Sequence, residues 1–160
     1  MPNYCSNDLT LEHNDPAMIR RAVASLENDS FLREFIPIPA DCESEYGFAV
    51  NNWGTKWDVL DADIYDQTDT SIGVFFDTAW SPPVEAYKKL EELGFTVTAY
   101  YYEGGMGFCG AFKDGEDDEY GIDGDSNWVL ENIPREIDDC FAISENMAEY
   151  ESELEYEQSA

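Results

Sequence analysis

The alternation of two-residue and 3.6-residue apolar periodicities along the first 112 residues leaves few folds open. Tyr4 to His13 alternates as a strand, with Cys5, Leu9 and Leu11 as apolar members, and stops at Asn14-Asp15-Pro16. Asp15 can accept from the amides of a first helical turn, and Pro16 has no N–H to leave orphaned there, so the triplet starts a helix. Met18, Ile19, Ala22, Val23 and Leu26 supply its buried face. Residues 30 to 50 read as a long connection in which Phe35-Ile36-Pro37-Ile38-Pro39 is extended, because each proline disfavours helix in the residue before it. Strands are predicted over Val59 to Tyr65 and Ile72 to Thr78. A second helix opens at Ser81-Pro82-Pro83, buries Val84, Tyr87, Leu90 and Leu93, and closes at Gly94. Phe95 to Glu103 and Met106 to Phe112 then form a hairpin about Gly104-Gly105.

The order strand, helix, strand, strand, helix, strand, strand predicts an α+β fold, the ferredoxin-like split βαβ sandwich, with an antiparallel sheet and two helices on one face. The other sheet face needs a cover. Trp128, Val129, Leu130, Ile133, Ile137, Phe141 and Ile143 can supply it, and Met147, Tyr150 and Leu154 continue the stripe at helical spacing. The end of the chain is therefore expected to be an amphipathic helix and not a free acidic coil. Two units follow: a ferredoxin-like domain over 1–113, and an acidic loop and helical extension over 114–160 packed on it.

Charge is the second constraint. The chain carries 36 Asp and Glu against 8 Lys and Arg, a net −28, and residues 114 to 160 hold 17 of those acids and a single base, Arg135. That segment alone accounts for 17 − 1 = 16 of the 28 negative charges. With 43% hydrophobic and 14% aromatic residues, the composition is not that of a disordered acidic protein, so the acid is laid over a folded core. Such self-repulsion adds nothing to stability and suits a cationic partner. It argues against direct binding of nucleic acid or an anionic membrane, whose phosphates are neutralised by Lys and Arg.

Four stretches together resemble a known family: Met1-Pro2-Asn3-Tyr4-Cys5-Ser6-Asn7, Asn52-Trp53-Gly54-Thr55-Lys56-Trp57-Asp58, Thr78-Ala79-Trp80-Ser81-Pro82-Pro83, and Tyr102-Glu103-Gly104-Gly105. They look like the YubB ferredoxin-like domain family of phage and plasmid proteins, over roughly residues 1 to 112. Tyr4 stands where the family usually has a tryptophan. The resemblance implies the fold and a mobile-element origin, and it carries no catalytic residues; the acidic extension lies outside it.

Trp53, Lys56, Trp57 and Trp80 could meet at one end of the sheet, either as a candidate ligand pocket with Lys56 as its cation or as aromatics pinning a long connection. In the second reading, which we favour, Lys56 pairs Asp58 or Asp77 and stacks on a ring. Asp123-Gly124-Asp125-Ser126-Asn127 matches the start of a calcium loop, but Trp128 replaces the turn glycine and Pro134 the bidentate glutamate. With His13 alone beside Cys5, Cys42, Cys109 and Cys140, all widely spaced, neither a metal site nor a cofactor is expected and the thiols are read as reduced. No Gly-x-Ser-x-Gly, phosphate loop or His-Glu-x-x-His is present, so the chain reads as a non-enzyme. The absence of a signal-like start and of an apolar run of ~18 residues predicts the cytoplasm.

The acidic residues are the candidate partner surface. Glu145, Glu149, Glu151, Glu153, Glu155 and Glu157 space their charges on a helix much as one strand of DNA spaces its phosphates. Asp114, Glu116, Asp117, Asp118, Glu119, Asp123, Asp125, Glu131, Glu136, Asp138 and Asp139 could supply a second row. The expectation is a nucleic-acid mimic that occupies the basic groove of a host defence protein, such as a restriction or CRISPR complex. The alternatives are a non-catalytic binding module using the tryptophans for a peptide or small ligand, and a homo-oligomeric accessory protein.

Overall fold

The computed structural model describes residues 3–159; Met1 and Pro2 of the opening string, and Ala160, lie outside the described residues. The chain runs β1 (Tyr4–Glu12), α1 (Pro16–Glu27), α2 (Phe31–Phe35), α3 (Glu45–Asn52), β2 (Leu60–Gln67), β3 (Ser71–Ala79), α4 (Val84–Glu92), β4 (Thr96–Glu103), β5 (Phe108–Lys113), β6 (Glu116–Gly121), α5 (Ser126–Asn132), α6 (Arg135–Phe141) and α7 (Ile143–Ser159). The strands form one six-stranded antiparallel sheet in the order β2-β3-β1-β4-β5-β6. Strands β1 to β4 with α1 and α4 make the ferredoxin-like unit, and β5 and β6 extend it beyond β4.

Alternation decides the two faces of the sheet. Cys5, Asn7, Leu9 and Leu11 of β1 point one way, beside Ile72, Val74 and Phe76 of β3 and Val97, Ala99 and Tyr101 of β4, and all are buried. The helices α1 to α4 close this main core with Ile19, Leu26, Phe31, Leu32, Trp53, Tyr87 and Leu90. On the other face α5, α6 and α7 cover the β4–β6 half, where Val129, Ile133, Ile137 and Ile143 pack with Cys109, Tyr100, Tyr102, Ala111 and Tyr120. Leu130, expected among these contacts, is exposed on α5.

Two expectations are corrected. Residues 30 to 50 are no plain connection, because they contain α2 and α3. Helix α2 starts where the Asp58 carboxylate accepts from the amides of Leu32 and Arg33 at 2.8 and 3.1 Å, and α3 where the Ser44 hydroxyl accepts from the Gly47 amide at 3.0 Å. The acidic segment expected as a loop contains β6, which pairs Lys113 with Glu116 across the two-residue turn Asp114-Gly115. Both turn residues have positive φ, +52° and +78°, as the tight turn whose twist matches a hairpin requires.

Candidate functional site

The string from Trp53 to Asp58 joins four elements at one end of the sheet. Trp53, 1% exposed, ends α3, donates its indole N–H to the Ile36 carbonyl at 3.0 Å and has the Arg33 guanidinium over its ring. Gly54 follows at φ +84°, where a Cβ would press on the amides of Val84 and Glu85, and its carbonyl accepts from the Ser81 hydroxyl at 2.6 Å. The buried Thr55 hydroxyl donates to the Ala79 carbonyl at 2.9 Å. Buried Asp58 holds the start of α2, accepts from the Val59 amide at 2.9 Å and pairs with Arg33 at 3.6 Å. Burial pushes its carboxyl up, and the three amides pull it back.

Lys56 and Trp57 stay at the surface. The Lys56 ammonium lies 4.8 Å from the Trp57 ring centre and 6.0 Å from that of Tyr46, and it makes none of the ion pairs expected with Asp58 or Asp77. It lines two adjoining clefts. One, of about 170 Å³, also has Trp53 and Trp57 in its wall; the other, of about 340 Å³, has Tyr46, Val50 and Trp80. The buried Trp53 thus supports the site from beneath while Trp57 and Trp80 face outward, at 41% and 50% exposure.

The acidic residues fall into two sets. Several are engaged by other groups of the chain, Asp138 buried, Glu151 half-buried and the rest at the surface. Asp138, 5% exposed, accepts from the Ser144 amide and hydroxyl at 2.7 and 2.6 Å and so starts α7. Glu151 accepts from the Ser126 amide and hydroxyl, and Asp125 from the Trp128 amide at 3.0 Å, which together start α5. Asp117 accepts from the Tyr101 hydroxyl at 2.6 Å; burial first, and this carboxylate second, drive that phenol far above its usual range. Glu136 pairs with Lys113 at 3.3 Å and Asp139 with Arg135 at 3.5 Å. The others, Asp114, Glu116, Asp118, Glu119, Asp123, Glu131, Glu145, Glu149, Glu153, Glu155 and Glu157, are exposed.

Helix α7 is buried at its start and exposed toward its end. Ile143 is buried and Met147 half-buried against α5 and α6, but every residue from Ser152 to Gln158 is exposed, including Leu154 of the expected stripe; Tyr150 is exposed too. Glu145, Glu149, Glu153 and Glu157 recur every fourth residue, which sets a carboxylate about every 6 Å along one side of the helix. The bases lie elsewhere. Arg20, Arg21, Arg33, Lys56, Lys88 and Lys89 belong to the α1–α4 layer, whereas α5 to α7 carry only Arg135.

The uncovered β2-β3-β1 half of the second face adds carboxylates that patterning had not singled out. Asp63, Phe75 and Asp8 sit side by side across the three strands, with Asp77 and the Tyr65 ring next to them. Asp8 accepts from the Tyr65 hydroxyl at 2.7 Å and from the Cys140 thiol of α6 at 3.3 Å, tying this floor to the helical layer. The period-two alternation of Tyr4 to His13 already sets Asp8 opposite Leu9, and was the signal for it.

Three of the four thiols lie in desolvating surroundings. Desolvation is the leading cause that pushes Cys5 and Cys140 up to about 12 and Cys109 to about 11, so all three stay thiols at neutral pH. His13 accepts from the Asp15 amide through Nδ1, meets the Leu93 carbonyl through Nε2 at 3.0 Å, and packs on Phe95. Among the described residues no three His, Cys, Asp or Glu side chains gather as metal ligands, and no helix is long and apolar enough to cross a membrane.

Residues 52–127 match the family model described as the ferredoxin-like domain in Api92-like protein. The match takes in the Trp53–Asp58 string, Trp80 and β6, and stops before the rest of α5, α6 and α7. The crystal structure of protein api92 from Yersinia pseudotuberculosis is similar over 58% of this chain and 40% of that one, at 16% identity and a TM-score of 0.44. The chain thus spans 40% of the length of that protein. No curated protein matches.

Proposed function

We propose that the protein is a non-catalytic mimic of nucleic acid, presenting the carboxylates of its α5–α7 layer to a basic nucleic-acid-binding surface of another protein. The observation that carries this reading is the segregation of charge. Six of the eight bases belong to one layer, and the opposite layer ends in a helix whose exposed last turns carry Glu153, Glu155 and Glu157. With Glu151 engaged in capping, five glutamates remain between 145 and 157, about 18 Å of helix at ~1.5 Å per residue. These five charges are separated on average by ~4.5 Å along the axis, against ~3.4 Å between phosphates of a single DNA strand. A linear array of that order of density suits a groove built for a phosphate backbone.

In its fuller form the reading joins this surface to the mobile-element origin implied by the sequence resemblance, with a host defence protein as target. Association would be fast and salt-sensitive, because rim charges act mainly on encounter. The test is capture of a partner at low salt, followed by competition with duplex DNA and single-stranded RNA. Mutual exclusion, and loss of capture when residues 152–160 are removed, is the expected result. A captured partner that binds nucleic acid undisturbed would sink the reading.

A further inference from the structure

Trp80 combines two costs that a residue kept for stability would avoid. Its φ is +72°, in the left-handed region that a bulky side chain rarely adopts, and its ring is 50% exposed. The backbone is pinned on both sides: the Trp80 amide donates to the Asn3 carbonyl at 2.8 Å, the Ser81 amide to the Ala79 carbonyl at 2.9 Å, and the Thr78 hydroxyl to the Ser81 carbonyl at 2.7 Å. Glycine would satisfy the same backbone without strain. The indole nonetheless lines the 340 Å³ cleft together with Tyr46 and Val50, which are themselves exposed apolar groups. That volume lies at the lower end of small-molecule sites.

Another lining residue of the cleft, Lys56, supplies the polar group. Lys56 has no carboxylate within ion-pairing distance among the described residues, in a chain of 36 acids, and its ammonium rests between the Tyr46 and Trp57 rings. Because a cation already occupies those ring faces, a second one would be repelled, while an acceptor would meet donors that no side-chain carboxylate has claimed.

We propose that the Tyr46–Lys56–Trp80 cleft binds a small carboxylate with an aromatic or aliphatic body, the carboxylate on Lys56 and the body against Trp80. The same chemistry is offered by a free organic acid and by the carboxy terminus of a peptide ending in an apolar residue. This site belongs to the α1–α4 layer and stands independently of the acidic surface.

The experiment follows tryptophan fluorescence and amide chemical shifts of the full chain during titration with phenylacetate, phenylacetamide and phenethylamine, and with a short peptide ending in Phe as free acid and as amide. Saturable shifts with phenylacetate or the free-acid peptide, and binding at least about tenfold weaker for their uncharged and cationic analogues, are expected. Whichever acid binds tighter identifies the source. Lys56→Gln should lose about tenfold and Lys89→Gln nothing. Trp80→Gly should abolish binding while its thermal midpoint stays equal to or above that of the wild type, and Trp80→Asn, also at ease at positive φ, is the second variant. Saturation by amide or amine as tight as by acid, undiminished binding in Trp80→Gly, or no saturable shift up to millimolar acid would each overturn the assignment.

Discussion

Glu151 closes helix α5 from helix α7: its two carboxylate oxygens accept from the amide and the hydroxyl of Ser126 at 2.9 and 2.6 Å. This is an N-cap supplied by another element, and α7 is held to the sheet largely through α5. Glu151→Ala should therefore cost about 1–2 kcal/mol in urea denaturation and raise amide exchange through α7. Glu155→Ala, whose side chain is exposed, should stay within about 0.5 kcal/mol. Equal effects would mean that the cap contributes nothing.

Asp58 is the pivot of the other layer. Its replacement by Ala leaves the amides of Leu32, Arg33 and Val59 without the acceptor that starts α2, and a loss of about 3 kcal/mol is expected, read by chemical denaturation alongside the emission of buried Trp53. Asp58→Asn, which keeps one acceptor oxygen, should lose less.

Gly110 lies under the Tyr101 ring, and a Cβ there would overlap the phenol and its hydroxyl. Gly110→Ala should destabilise by about 1–3 kcal/mol, since a packed core resists an added methyl. The control is Gly121→Ala, where the new atom meets only the Asp123 carboxylate at 3.8 and 3.9 Å and little change is expected. Thermal midpoints of the two variants decide it.

Acidification from neutral pH should raise the thermal midpoint. Burial pushes the carboxyls of Asp58 and Asp77 above their ordinary value of 3.8, and Asp61 adds to the effect at Asp77. A raised folded value means that the native state binds the proton more readily. The stabilisation is complete below 3.8 and is lost as pH rises through the raised values, so stability should climb as pH falls from 7 toward the ordinary carboxylate range. Relief of self-repulsion acts in the same direction. Asp77→Asn should raise the midpoint at pH 7 and flatten the climb; an unchanged profile would count against the assignment.

Local chemistry made much of this fold legible. Asp15-Pro16 marks the start of α1, where Asp15 accepts from the Ala17 amide at 3.0 Å, and the alternation of β1 and β4 separates their buried from their outward residues. What escaped was non-local. Helix α2 owes its start to a carboxylate 26 positions downstream, which no window around Phe31 contains. Strand β6 was readable from Asp114-Gly115, but the charge run Glu116 to Glu119 masks a strand with no buried side. The acidic surface was legible as composition, not as geometry. Asp138 and Glu151 look like their neighbours in sequence, and only their placement beside Ser144 and Ser126 turns them inward. Nor does any local pattern announce that Trp80 sits at positive φ.

The outermost strands of the sheet are both acidic: β2 carries Asp61, Asp63 and Asp66, and β6 carries Glu116 to Glu119. An open sheet border is a template for strand addition, and negative side chains along it set two copies against each other before their backbones can pair. The protection is only as durable as the ionisation. Near the isoelectric point of about 4.1 the net repulsion between copies vanishes, and the two backbone ladders lose that general guard. Acid that firms the individual fold thereby brings the solution closer to fibril growth.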